Sequence, residues 1–123
     1  MPGENQLFHV DVIVIAGQPI AFEDSTASIS GAAGFQNSPK VSASGDDYTT
    51  RSRVPRLLKA KLQWGPTTDP KTYANMSGVQ IAMRDSFTNR KCLAPKATFG
   101  EMGEVGSGTV DITFILNSDL QWL

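Results

Sequence analysis

Residues 109–116 have the sequence TVDITFIL, and this stretch decides the fold class because apolar and polar side chains alternate along it. Side chains of an extended chain point to opposite faces in turn, so the alternation predicts a β-strand with one buried face. The inward positions are Val110, Ile112, Phe114 and Leu116, and the outward positions are Thr109, Asp111 and Thr113.

Further strands are predicted on both sides of the chain's midpoint. Residues 56–64 (RLLKAKLQW) show the same period of two, and residues 8–16 (FHVDVIVIA) are rich in Val and Ile. Shorter segments at residues 20–22, 79–84 and 91–97 predict additional strands. Pro95 lies within the last of these and cannot donate to a ladder, which indicates an edge or a bulge.

Two other segments differ in character from these strands. Residues 23–54 are dominated by Ser, Thr, Ala, Gly and Asp, which predicts a long polar loop with a piece of strand near residues 27–30. Asp69 as N-cap and Pro70 at the first helical position predict a short helix over about residues 70–76, ended by Gly78. We therefore expect one mainly β domain over residues 1–123: a β-sandwich or open barrel of six or seven strands.

The composition leaves little material for catalysis or metal binding. The 123 residues include one cysteine, Cys92, and one histidine, His9. Structural zinc needs about four Cys and His ligands, and the glycine-rich segment 103–108 lacks the lysine of a phosphate-binding loop. Asp46 and Asp47 are adjacent and have no partner base, so a solvated turn is the preferred interpretation. We expect no catalytic residue, no metal and no cofactor.

Targeting signals and charge give weaker indications. No apolar run approaches the ~20 residues that span a membrane, and no basic region precedes an apolar stretch at the start, so no membrane anchor is expected. Basic residues concentrate between Lys40 and Lys61, whereas acidic residues alone occur from Ala97 onward. This polarity suits head-to-tail contact between copies, although charges scattered over solvated loops would give the same pattern.

In the order of its elements the chain resembles the tail tube family of contractile-tailed bacteriophages. The resemblance covers roughly residues 8–116 and rests on four weak motifs in sequence. They are Gly45-Asp46-Asp47-Tyr48 followed by Pro55, the turn Thr88-Asn89-Arg90-Lys91 leading to Ala97, the Gly- and Glu-rich segment 100–108, and the alternating strand from Thr109 to Phe114. Asn89, where the family usually has glycine, and Pro95 are departures from its pattern.

The resemblance implies a structural subunit of a virion tail, assembled in the host cytoplasm. Six copies would close a ring with a continuous inner β-barrel, and the rings would stack inside a contractile sheath into a tube that conducts the genome. The implied partners are other copies, the tail sheath protein, baseplate and tail-terminator proteins, and the tape measure protein and genomic DNA that pass through the lumen. A tailocin or type VI secretion tube subunit, or a stand-alone β-sandwich binding module, are the alternatives.

Three sets of residues follow as candidates for assembly. The long loop is expected to contact the adjacent ring, and Thr109, Asp111 and Thr113 are expected to face the channel as a weakly acidic wall. Cys92 is either a small buried residue or, beside Arg90 and Lys91, a thiol that bonds to another chain such as the sheath. The inter-ring candidates are Val41, Asp46, Asp47, Tyr48, Arg51 and Arg53.

Overall fold

The structure, a computed structural model, describes residues 8–66 and 68–123; the start of the chain, on which the expected lack of a signal peptide rests, lies outside them. The described chain is mainly β with one short helix, as expected. The elements are β1 (Val12–Ile15), β2 (Gln18–Pro19), β3 (Ser28–Ser30), β4 (Phe35–Val41), β5 (Asp47–Arg53), β6 (Arg56–Gln63), α1 (Pro70–Ala74), β7 (Val79–Asp85), β8 (Arg90–Met102), β9 (Thr109–Leu116) and β10 (Gln121–Trp122).

Eight strands form one antiparallel sheet that curls into an open barrel. The order is β2-β1-β7-β8-β9-β6-β3, and β10 pairs with the first part of β8. After β2 the chain crosses to β6, where Phe22 is bridged to Leu62 and the Gln63 amide donates to the Ala21 carbonyl at 3.0 Å. The segment that follows β2 therefore connects the β1 side of the sheet to its β6 side.

The core fills the concave face of this sheet. The four inward positions predicted for β9 are buried. The alternation in β6 and β7 likewise buries Leu58, Ala60, Leu62, Ile81 and Met83, whereas Trp64 and Val79 are half-buried. On β1 the buried residues are Ile13 and Ile15. Each fully buried aliphatic side chain stabilises the fold by about 1.5–3 kcal/mol. The buried apolar residues are Val10, Ile13, Ile15, Leu58, Ala60, Leu62, Ile81, Met83, Cys92, Ala94, Ala97, Val110, Ile112, Phe114 and Leu116.

β8 continues through Pro95 because the strand bulges there. Val79 pairs with Ala97 and Ile81 with Ala94, so three steps on β8 oppose two on β7, and Pro95 lies in the bulge as predicted. A second irregularity lies at Gly100, where an added Cβ would come within 2.8 Å of the Thr113 carbonyl oxygen. β8 continues past this irregularity to Met102, so the Gly- and Glu-rich segment 100–108 forms a loop only after Met102.

The prediction of a long loop over residues 23–54 is wrong for most of its length. β3 occurs near residues 27–30 as expected, but β4 and β5 then form a regular seven-pair hairpin, a sheet of their own. Almost every residue of the hairpin is exposed. Backbone hydrogen bonds and cross-strand contacts hold it together without an apolar face, so no hydrophobic alternation marked its strands. The unpredicted strands β4, β5 and β10 raise the described strands to ten, above the expected six or seven. The strand predicted at residues 20–22 is wrong: β2 lies just before it, and Phe22 makes only an isolated bridge to Leu62.

The short helix has the predicted start and an earlier end. Asp69 is the N-cap and its carboxylate accepts from the Lys71 amide at 2.9 Å, with Pro70 in the first turn. The helix ends at Ala74 with Asn75 as C-cap, so Gly78, at φ +68°, lies in the turn to β7 and does not end the helix. Asn89 adopts φ +61° in the β7–β8 turn, a left-handed geometry that asparagine tolerates better than most residues.

Asp85 is buried and fixes the β7–β8 turn to the start of the chain. Its carboxylate accepts from the amides of His9 at 3.1 Å, Phe87 at 3.0 Å and Thr88 at 3.4 Å. Burial alone would raise the pKa of Asp85, but these N–H donors favour the charged form and lower the pKa below its usual value. One carboxylate thereby orders two segments that are distant in sequence.

We expect Asp85→Asn to destabilise the protein at neutral pH and to flatten the acid side of its pH–stability curve. Because the folded pKa is lowered, the stabilisation by Asp85 is complete above its unfolded pKa and is lost as the pH falls through the folded value. Urea unfolding between pH 2 and pH 7 measures this effect (~5 pH units, chosen to bracket a carboxylate). Asp69→Asn is the control, since asparagine is an equally good N-cap. An unchanged acid limb in the Asp85 variant would contradict the assignment.

A second prediction concerns the base of the hairpin at Gly31. Gly31 has φ +68°, and an added Cβ would lie 2.1 Å from the Pro55 carbonyl oxygen. Left-handed strain and overpacking together predict that Gly31→Ala lowers the free energy of unfolding by roughly 3 kcal/mol and the Tm by about 10 °C. Gly45, at φ +93° with open space around it, is the matched control, because the strain of Gly45→Ala stays within an exposed turn. Equal Tm losses for both variants in calorimetry would refute the close-contact explanation.

Candidate assembly surfaces

The tip of the hairpin brings together four of the six inter-ring candidates. Val41 is 83% exposed and pairs with Asp47, Asp46 lies in the turn, and Tyr48 is 60% exposed. Since paired residues share a face and neighbours in a strand do not, Val41 and Asp47 lie on one face and Tyr48 on the other. The tip therefore presents an apolar side chain beside a carboxylate, both in solvent.

The two arginine candidates lie lower on the hairpin, away from the tip. The guanidinium of Arg51 is 4.2 Å from the centroid of the Phe35 ring, and that of Arg53 is 5.8 Å away. These cation–π contacts bind the hairpin's own strands together near its base. Below them Arg56 donates to Asp119, which ties the start of β6 to the turn after β9. The hairpin is thus anchored at its base, and its tip makes no pairing with the barrel.

The predicted channel residues lie on the convex face of the barrel, and two lysines accompany them. Asp111 pairs with Lys61 and Thr113 with Lys59, while Thr109 pairs with Gln63. Paired residues of antiparallel strands share a face, so this surface is mixed in charge, and the expectation of a weakly acidic wall from Asp111 alone is corrected. Lys61 also approaches Glu23, with Nζ and Oε2 4.0 Å apart.

A basic-rimmed groove is a surface that the sequence predictions missed. The outward side chains of three adjacent strands line up in two rows: Val12–Arg84–Lys91 and, beside it, Val14–Ala82–Leu93. Leu123 borders the groove, whose volume is about 310 Å³. The signal for it was present, because both faces of β1 are apolar over residues 12–15 and only one of them enters the core.

Cys92 lies in the core, which corrects the proposal of a bond to another chain. The residue is 0% exposed and pairs with Met83 on one side and Trp122 on the other. Burial raises the pKa of the thiol to about 11, and the nearby charge of Arg90 offsets this only in part. A basic neighbour in sequence predicted a reactive thiolate, but loss of hydration opposes thiolate formation more strongly.

We therefore expect Cys92 to resist a thiol reagent such as dithionitrobenzoate in the native protein and to react fully after unfolding. Ala43→Cys, at an exposed position of the hairpin turn, is the control and should react at once under native conditions. Absorbance of the released thiolate, followed with and without guanidinium, measures both sites. A native Cys92 that reacts as fast as the residue introduced at position 43 would show that the thiol is accessible.

Within residues 8–66 and 68–123, no group of three or more His, Cys, Asp and Glu residues is placed to hold a metal ion. His9 lies at the surface with its Nε2 3.2 Å from Asp24. None of the helices in the described part of the chain has the length and apolarity to cross a membrane. The candidate features described above are three surfaces: the hairpin tip, the convex face of β6 and β9, and the groove.

No protein-family model matches the chain, and no curated protein matches it. Solved structures do match. A chain from the cryo-EM structure of an extracellular contractile injection system, the PVC sheath/tube terminator in the extended state, superposes with a TM-score of 0.63 at 11% identity, covering 96% of this chain and 95% of that chain. A chain from the PVC sheath-tube complex in the extended state superposes with a TM-score of 0.62 at 9% identity, covering 98% of this chain and 93% of that chain.

A chain from the anti-feeding prophage cap, a tube-terminating cap, gives a TM-score of 0.58 at 10% identity, covering 96% of this chain and 92% of that chain. Each superposition takes in more than nine-tenths of both chains, so the barrel and the hairpin region are included. At these identities the likeness is one of fold. The fold of this chain is one that occurs in components of contractile injection systems.

Proposed function

We propose that this protein is the tube subunit of a contractile tail, a non-enzymatic structural protein whose rings stack into a hollow channel. The observation that carries the proposal is the hairpin: seven paired residues on each strand, exposed on nearly every residue and anchored only at its base. An isolated two-stranded hairpin is marginally stable in water. A long exposed hairpin with Val41 at its tip is suited to packing against a neighbouring subunit, which would stabilise it further.

The likeness to solved chains supports the same assignment. It extends over almost the whole chain and includes a chain of a sheath–tube complex. We infer hexameric rings from the family resemblance, with sheath, baseplate and terminator proteins as partners and with tape measure protein and DNA passing through. A phage virion and a phage-like injection particle are equally compatible with this assignment.

We place Thr109, Asp111 and Thr113 on the channel wall, together with Lys59 and Lys61 from the paired strand. Cationic walls bind DNA through its phosphates in a salt-dependent way. Asp111 opposite Lys61, and Glu101 opposite Thr113, place carboxylates among the lysines. A channel wall that carries both lysines and carboxylates holds DNA less tightly than a cationic wall and so favours its passage.

A tube terminator is the second candidate, because two of the similar structures contain terminators or caps. The two roles differ in how many faces of the ring bind further copies. A tube subunit binds copies of itself at both ends of its ring, whereas a terminator ends the tube. Electron microscopy of purified protein separates them: tubes of varying length support the tube subunit, single rings support the terminator, and monomers at high concentration support a stand-alone binding module.

Shortening the hairpin tests the proposal directly. Replacing residues 39–49 by Asn-Gly joins Ser38 to Thr50, which already pair, through a turn suited to a two-residue hairpin. We expect a folded subunit with an almost unchanged Tm that no longer forms tubes, because the removed part contributes nothing to the core. Lys71→Ala, at an exposed position of α1 away from the hairpin, is the control and should form tubes normally. Tubes formed normally by the shortened variant would show that the hairpin is not the contact between rings.

A further inference from the structure

The groove lies on the convex face of β1, β7 and β8, and apolar side chains line most of it. Its two rows lie two residues apart along the strands, which corresponds to about 7 Å. One row is apolar, Val14–Ala82–Leu93, and the other carries two cations, Arg84 and Lys91, beside Val12. Arg84 and Lys91 are exposed and take part in none of the ion pairs found among the described residues. Two uncompensated cations beside an apolar row favour an occupant with both an apolar and an acidic group.

The hairpin tip has this composition and lies on the same chain. Val41 and Asp47 are directly opposite each other, so their Cβ atoms are about 5 Å apart on one face. Asp46, in the adjoining turn, adds a second carboxylate. The tip carries two negative charges and the groove rim two positive charges, so the two surfaces are complementary in charge, and each has an apolar side chain beside its charged groups. Among the described strands of a single copy, β4 and β5 pair with each other and with no third strand, so the tip is available to another molecule.

We propose that the groove binds the Val41–Asp47 face of the hairpin tip of a second copy. Val41 packs on the Val14–Ala82–Leu93 row, and the carboxylates of Asp46 and Asp47 pair with Arg84 and Lys91. The inference rests on the proposed function and deepens it, because it names the surface that receives the hairpin. Tip and groove are different patches, so each copy gives one contact and receives one, and such a heterologous contact propagates from copy to copy.

Charge reversal on each side tests the pairing. Arg84→Glu with Lys91→Glu reverses the groove, and Asp46→Lys with Asp47→Lys reverses the tip. Sedimentation should show that each double variant alone loses assembly, since like charges then meet. The quadruple variant should regain assembly within about tenfold of wild type, and an equimolar mixture of the two double variants should associate where neither does alone. Lys71→Glu with Lys96→Glu, exposed and outside both surfaces, is the control for net charge and should assemble normally.

A disulfide measures the same contact independently of tube formation. Ala43→Cys at the tip and Ala82→Cys in the groove should cross-link under oxidation when the two variants are mixed, but not when either is oxidised alone. Wild-type tubes together with normal assembly of the groove-reversed variant would overturn the groove assignment and leave the proposed function standing. Cross-linking without tubes or rings would overturn the proposed function and leave the contact standing. A monomeric wild type with no cross-link would overturn both.

Discussion

Pairing along the free edge of β6 is the constraint on which the rest of the structure depends. A single sheet has no second layer to cover its apolar face, so it must curl onto itself. Here the segment after β2 reaches β6 through Phe22 and Leu62, and β3 pairs with the same edge further along. Small residues facing inward, Ala60, Ala94 and Ala97, leave room for Phe114 and Met83 in the enclosed core. Without this closure the buried faces of β1 and β9 would lie open to water.

Closure also separates the residues that pack in the core from the residues that remain exposed to solvent. Side chains of the concave face form the core, whereas the hairpin and the convex face contribute little to the core. Surface substitutions away from buried features usually change stability by less than about 0.5 kcal/mol. Residues at the tip and in the groove can therefore vary with little effect on the fold, which agrees with a shared fold at identities near one-tenth.

The features predicted from sequence are those that one element encodes alone. Alternation at 56–64 and 109–116 identified the inward residues of β6 and β9, and Asp69-Pro70 marked the helix start. The features that could not be predicted from the sequence depend on pairing between elements. Lys59 and Lys61 join Asp111 only through the register of β6 with β9, and Cys92 is buried only because β7, β8 and β10 enclose it. The hairpin was missed for another reason: a strand exposed on both faces has no hydrophobic period.

The hairpin also has a consequence for how the chain folds. β3 and β6 are far apart in sequence, and pairing Ser30 with Leu57 closes a loop made of all the residues between them. A β-hairpin forms from local contacts within about 1–10 μs. Once β4 and β5 have paired, Gly34 and Val54 are already neighbours, joined by the hydrogen bond from the Val54 amide to the Gly34 carbonyl at 3.1 Å. The remaining closure spans only a few residues on each side, so its entropic cost falls. The element that contributes least to the native core thus lowers the barrier to forming the edge on which that core depends.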